Sequence, residues 1–200
     1  MNSGLTSERV YTALKRRLLD GEFRPGERLD PAHLSETLSS SVTPVRDVLN
    51  ILRGEGLVET RTGEGFFRPN LTAPDLEDVY DWSDQILALA LRQWPAAPAP
   101  AHVYDPATGP IADRTADLFL EIATRSANFE HKRAIVNVND RLHAARMIEG
   151  QVLDDTEAEL TAIAQVLAND DARELEKLVF AYHQRRRRAV SDIVRAVYRG

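Results

Sequence analysis

Cysteine is absent from this chain of 200 residues. That excludes disulfides, thiolate metal sites and a cysteine nucleophile, and it suits a reducing compartment. No segment approaches the roughly 18 consecutive apolar residues that read as a membrane span. The opening Met1–Thr6 is short and polar, without the basic-then-apolar order of a signal peptide. Phosphate-binding and dinucleotide-binding glycine loops are missing, and no Ser-His-Asp arrangement can be argued. The expectation is a cytoplasmic protein that is not an enzyme, needs no cofactor and has no membrane partner.

What is present is ordinary for a globular chain: 43% apolar and 28% charged residues. The net charge of −6 argues at first against a nucleic-acid partner. Its distribution changes that reading. Residues 1–70 carry ten basic and ten acidic side chains, so the whole deficit lies beyond them. A neutral module binds DNA if its basic groups share one face, because phosphate neutralisation is local.

Along the chain, Ser7 is a candidate cap for a helix with Val10, Leu14 and Leu18 on its apolar side, ending near Gly21. Glu27–Leu29 reads as a short strand. Asp30-Pro31 reads as a cap followed by proline at the first helical position, with Leu34 and Leu38 buried. Thr43-Pro44 repeats that start for a third helix, which places Val45, Val48, Leu49 and Leu52 on one side and Arg46, Asn50 and Arg53 on the other. Leu57–Thr60 and Gly65–Arg68 alternate as strands around a tip at Arg61–Glu64. Three helices and a hairpin make a winged helix-turn-helix over residues 1–69. Residues 70–74 read as a linker. Residues 75–200 read as an all-helical antiparallel bundle, with helices near 75–93, 106–126, 128–149, 154–168 and 170–198, broken by the proline-rich run Pro95–Pro100.

Gly26-Glu27-Arg28-Leu29, Leu34-Ser35-Glu36, Thr43-Pro44-Val45-Arg46-Asp47-Val48-Leu49, Glu55-Gly56-Leu57-Val58 and Gly63-Glu64-Gly65 occur in the order of the GntR family of regulators, which this segment resembles. Read alone, Arg46, Asn50 and Arg53 would be taken for the solvated face of a helix, and it is the full motif that reverses this. The resemblance implies a recognition helix in the major groove, where the Arg46 guanidinium can bridge O6 and N7 of guanine. It also implies phosphate contact by Thr43, backbone contact by His33 and minor-groove contact by the wing turn Thr62-Gly63. Two departures stand out. Val42 replaces a usual arginine, and Ser39-Ser40 replace a usual glycine and aliphatic residue.

The helical remainder is similar, more loosely, to the FCD domain of the FadR-type branch. The similar segments are Asp75-Leu76 with Val79-Tyr80, Ser126-Ala127-Asn128 and Ala168-Asn169-Asp170-Asp171. Many members of that branch hold a divalent metal with one Asp and three His. The corresponding slots here are Thr115, Phe119, Leu160 and His183, so no metal is expected. Asn139 and His143 share a helical face, which leaves a non-standard site involving His143 and His183 open as an alternative. The run Arg185–Arg188 reads as a solvated helix surface, with Glu174 and Glu176 as partners. The resemblance implies a homodimer on double-stranded, palindromic operator DNA, acting as a repressor under a small-molecule effector. An organic acid is the family-like effector, and Arg141, His143, Arg146, Tyr182 and His183 are the candidate contacts. The alternative is a non-catalytic winged-helix protein-interaction or dimerisation module.

Overall fold

In the computed structural model of the chain, residues 3–94 and 108–199 are described, with side chains from Thr6 onward. The run Pro95–Pro100 lies outside them. The chain divides into two compact units, residues 1–71 and 72–200.

The first unit opens with α1 (Ser3–Leu19). This helix starts four residues before the expected cap at Ser7. A cap is a local preference worth about 1 kcal/mol, and no proline precedes Ser7 to stop the helix there. Val10, Leu14 and Leu18 nevertheless form its buried stripe. β1 (Arg28–Leu29) leads into α2 (Pro31–Thr37), where the Asp30 carboxylate accepts the Ala32 N–H at 2.8 Å. α3 (Val42–Gly54) begins one residue before Thr43, with Ser41 in the cap position. Thr43 is therefore not the cap. Pro44 can sit at the third helical position because first-turn amides have no intrahelical acceptor to lose.

The tight turn between α2 and α3 depends on Ser39, whose φ of +48° is left-handed. Arg9 of α1 ties this turn down, donating from Nη1 to the Leu38 carbonyl (3.0 Å) and from Nη2 to the Ser39 carbonyl (3.1 Å). β2 (Glu59–Arg61) and β3 (Gly65–Phe67) form the expected hairpin. β1 joins it, giving an antiparallel sheet in the order β1-β3-β2 with Arg28 and Glu59 both opposite Phe67. The β1 edge is closed by Gly26, whose φ is +81° and where a Cβ would come 2.5 Å from Asn70 Oδ1. The left-handed φ favours glycine there.

The second unit contains α4 (Ala73–Arg92), α5 (Ile111–Thr124), α6 (Phe129–Ile148), α7 (Thr156–Ala168) and α8 (Ala172–Val197), with a single 3-10 turn at Glu149–Gln151. Ala73 and Pro74, read from the sequence as linker, are the first turn of α4 and follow the Thr72 cap. α5 starts at Ile111 and ends at Thr124, inside the span 106–126 read from the sequence. Asn128 and Asp171 cap α6 and α8, each side chain accepting an N–H at 3.0 Å. α4 packs along α8 and α6, while α5 lies on α6 and α7 on α8.

An L-residue in the left-handed region is disfavoured by about 1–2 kcal/mol, and glycine avoids that cost while losing about 0.5–1 kcal/mol of chain entropy. Ser39→Gly is accordingly expected to raise the stability of the first unit by about 0.5–1 kcal/mol. Urea unfolding followed on α-helical signal checks it, and an unchanged or lower midpoint would show that Ser39 is not strained.

Candidate functional site

Burial of Val45, Val48, Leu49 and Leu52, each 0% exposed, decides which face of α3 turns outward. Arg46, Asn50 and Arg53 lie on that exposed face. Among the described residues, neither arginine is paired with a carboxylate. Asn50 donates one N–H to the Arg46 carbonyl at 3.0 Å, which leaves its carbonyl oxygen and second N–H for another partner. The far end of α3 is anchored by Glu55, which accepts from Tyr11 Oη at 2.7 Å and Lys15 Nζ at 3.1 Å. At the near end the Ser41 side chain makes no capping bond. The first-turn amides, with exposed Thr43 among them, are therefore open to an anion such as a phosphate.

His33 is exposed on α2, and Thr62 and Gly63 are exposed at the wing tip. Gly63 adopts φ +76°, which permits the sharp turn between β2 and β3. Arg61 beside it is committed to the wing: its guanidinium lies 4.2 Å from the Phe67 ring centroid and pairs with Glu59 at 2.9 Å. All seven residues read as DNA contacts are thus exposed and belong to α2, α3 and the wing of one compact unit.

The helical unit sorts its candidates differently. Arg141 is exposed, whereas His143, Arg146, Tyr182 and His183 are buried. The helical period explains the split, because Asn139, Leu142, His143 and Arg146 share the buried face of α6 and Arg141 lies off it. Asn139 donates to the Ala116 carbonyl and accepts from Arg146 Nη1, both at 2.8 Å. The Phe119 ring lies between Arg146 and the aromatic cluster. Its centroid is 5.1 Å from the guanidinium carbon, 5.0 Å from the Tyr182 ring and 5.5 Å from the stacked His183 ring.

His183 is fully buried, and burial pushes its pKa down to about 3, with Arg146 and Arg186 adding to the effect against the Val179 carbonyl. The ring is neutral. Its Nδ1 faces the Val179 carbonyl at 2.7 Å and its Nε2 faces Ser83 Oγ at 2.9 Å, so Nδ1–H donates and Nε2 accepts. Both ring nitrogens are occupied. Thr115 donates its hydroxyl to the Ile111 carbonyl at 2.7 Å, and Phe119 and Leu160 offer no donor atom. The metal implied by the FCD resemblance therefore does not fit these residues. Among the described residues, no group of three or more His, Asp or Glu is placed to hold an ion.

Arg186 was missed as a core residue. It is 1% exposed and donates to Glu149 at 2.9 Å and Glu159 at 2.6 Å, rather than joining a solvated run. Leu175, Val179, Tyr182, Arg186, Val190 and Ile193 recur at spacings of three and four, so the helical period could have exposed it. Arg187 pairs with Asp81 at 2.8 Å. Glu174 and Glu176 pair instead with Lys177 and Arg92.

Comparison with known proteins bears on both units. The family model described as bacterial regulatory proteins, gntR family, matches residues 6–67. The Nta operon transcriptional regulator of Aminobacter aminovorans is 26% identical over 189 residues, covering 86% of this chain and 89% of that protein. The HTH-type transcriptional regulator YdhC of Bacillus subtilis strain 168 is 33% identical over 70 residues. That match covers 35% of this chain and spans 31% of the length of YdhC. A transcriptional regulator GntR from Rhodococcus sp. RHA1 shares the fold with a TM-score of 0.70 at 20% identity, covering 93% of this chain and 97% of the other. Escherichia coli McbR/YncC does so with a TM-score of 0.64 at 18% identity, covering 94% and 97%.

The depressed histidine pKa has a consequence for acid stability. Between about 6.5 and about 3 the unfolded chain binds a proton at His183 that the folded chain does not. This residue therefore lowers stability as pH falls through that window. Asp84, 3.7 Å from His183 Nδ1, acts in the opposite sense because burial and then Asp81 raise its pKa to about 6. His183→Gln is expected to lose less stability on acidification than the unaltered chain. Urea midpoints measured across that window check it; equal slopes in the two proteins would refute a neutral buried His183.

Proposed function

We propose that this chain, a GntR-family transcription regulator by its N-terminal domain, binds palindromic double-stranded operator DNA as a homodimer and acts as a repressor. A small molecule held in the helical domain controls that affinity. The first unit contacts DNA, and the helical unit holds both the effector and the dimer surface. The protein acts in the cytoplasm and performs no catalysis.

One observation carries the DNA reading: α3 presents Arg46, Asn50 and Arg53 outward while its other face is fully buried. A helix held in that way can lie in the major groove with its early side chains at base edges. Thr43, His33 and the wing turn Thr62-Gly63 then supply contacts to the backbone and the minor groove. The dimer follows from specificity. One winged helix contacts too little DNA to select a site among very many competitors, and two half-sites related by a dyad remedy this. A relative named as an operon regulator, collinear over most of both chains, supports the regulatory role. An effector alters DNA affinity only by binding two conformations of the dimer unequally.

The test begins with an operator selected from a random duplex library by the full chain. Arg46→Ala should weaken binding to it by about 1–3 kcal/mol and relax the preference at one base pair. Val42→Arg should tighten binding to all sequences and steepen the salt dependence by about one unit of slope. Gel-shift titrations at several salt concentrations read both. Failure to select any sequence, with no salt-dependent DNA binding, would favour the protein-interaction module instead.

A further inference from the structure

The exposed face of α3 is not uniformly polar. Val42, the first residue of the helix, is 36% exposed, while Val45, Val48, Leu49 and Leu52 fill the core behind it. Successive helical residues turn by about 100°, so Val42, Arg53, Arg46 and Asn50 fall in that order within an arc of about 80°. Val42 stands about 6 Å, roughly one turn, before Arg46, at the end of a recognition helix that enters the groove first. Ile51, the other exposed aliphatic side chain of α3, lies about 180° round from Val42 and more than two turns further from that leading end.

Chemistry narrows what Val42 can meet. Its side chain has no donor or acceptor, so it cannot hold a phosphate. In the major groove the apolar group that a base pair presents is the C5-methyl of thymine. The valine side chain is short and, being β-branched, keeps essentially one rotamer on a helix. Its methyl groups are therefore presented without the entropy cost of ordering a long side chain. Opposite another base it would cover a polar edge, and the N4 amino group of cytosine or the N7 of a purine would lose water and gain no partner. Attraction to the methyl group and the penalty against polar edges act in the same direction.

We infer that Val42 is a specificity-determining residue that reads the C5-methyl of a thymine in each half-site, within about two base pairs of the base met by Arg46. The inference rests on the reading of α3 as the recognition helix and adds a base to what that helix reads. The spacing follows from the helical rise, since about 6 Å along α3 spans about two steps of 3.4 Å along a DNA strand. Arg46 and Val42 then act on different bases, the guanidinium on guanine and the valine methyl groups on thymine. Thr43 between them serves the backbone.

The test uses the full chain and the operator it selects from a random duplex library. A thymine is expected within about two base pairs of the position at which Arg46→Ala relaxes the preference. Synthetic duplexes then carry 2′-deoxyuridine in place of that thymine, which removes the methyl group and leaves base pairing and the O4 acceptor intact. The unaltered chain should bind the deoxyuridine duplex about fourfold more weakly, the worth of one buried methyl group. Val42→Ala, which suits a helix at least as well as valine, should fold normally and bind the two duplexes equally. Val42→Arg, which adds a phosphate contact on every sequence, should also lose the distinction between them. Gel-shift titrations at one salt concentration read all three proteins. Equal binding of both duplexes by the unaltered chain, a deoxyuridine penalty that persists in either variant, or no thymine in that window would each overturn the inference and leave the DNA reading standing. No selection of any sequence, without salt-dependent DNA binding, would overturn both.

Discussion

A helix can hide only one side, and the side it hides determines what the other can do. In α3 the apolar stripe of Val45, Val48, Leu49 and Leu52 is pressed into the core of the first unit, so Arg46, Asn50 and Arg53 have nowhere to go but outward. Burying each of these aliphatic side chains contributes about 1.5–3 kcal/mol, far more than any polar contact on the opposite face could offset. The orientation of the DNA-facing surface is thus set by residues that never touch DNA. Arg9, Tyr11 and Lys15 extend the control, since all three belong to α1 and hold the turn before α3 or the residue that ends it.

The neutrality of the first seventy residues conceals how its charges are used. Arg16 pairs with Asp20, Arg17 with Glu22, Lys15 with Glu55 and Arg61 with Glu59. Arg68 donates to the Leu18 carbonyl. Lys15–Glu55 and Arg68–Leu18 join separate elements of the unit, whereas the other pairs are local along the chain. Arg46 and Arg53 make no ion pair among the described residues and stay exposed on α3. A domain of zero net charge can still present unpaired cations at one surface, and local charge is what a phosphate backbone meets.

In the helical unit the same one-face constraint acts on side chains that are not apolar. The buried stripe of α8 includes His183 and Arg186, and that of α6 includes Asn139 and Arg146. Each must then be satisfied inside the protein. For His183 this is achieved by neutrality and two hydrogen bonds. Arg186 is matched by two carboxylates, while the Tyr80 hydroxyl donates to the first of them, Glu149. Arg146 has one amide and an aromatic face. The contrast between the two arginines gives the helical domain a polar centre of a different kind from a metal cluster.

Helical periods, the Asp30-Pro31 start and the glycines around the wing were legible in the sequence because each reports a local rule: spacing, capping or a positive φ. So was the identity of the exposed α3 residues, since amphipathic spacing fixes opposite faces together. The start of α1, the cap of α3 and the addition of β1 to the wing were not legible. Caps compete at neighbouring positions by small energies, and a two-residue strand exists only through the strand it pairs with. Arg141 and Arg146 looked alike in the sequence, as did Arg186 and its arginine neighbours. Only the packed structure separated them, because burial, and which carboxylate or amide meets a buried charge, are properties of elements that lie far apart along the chain.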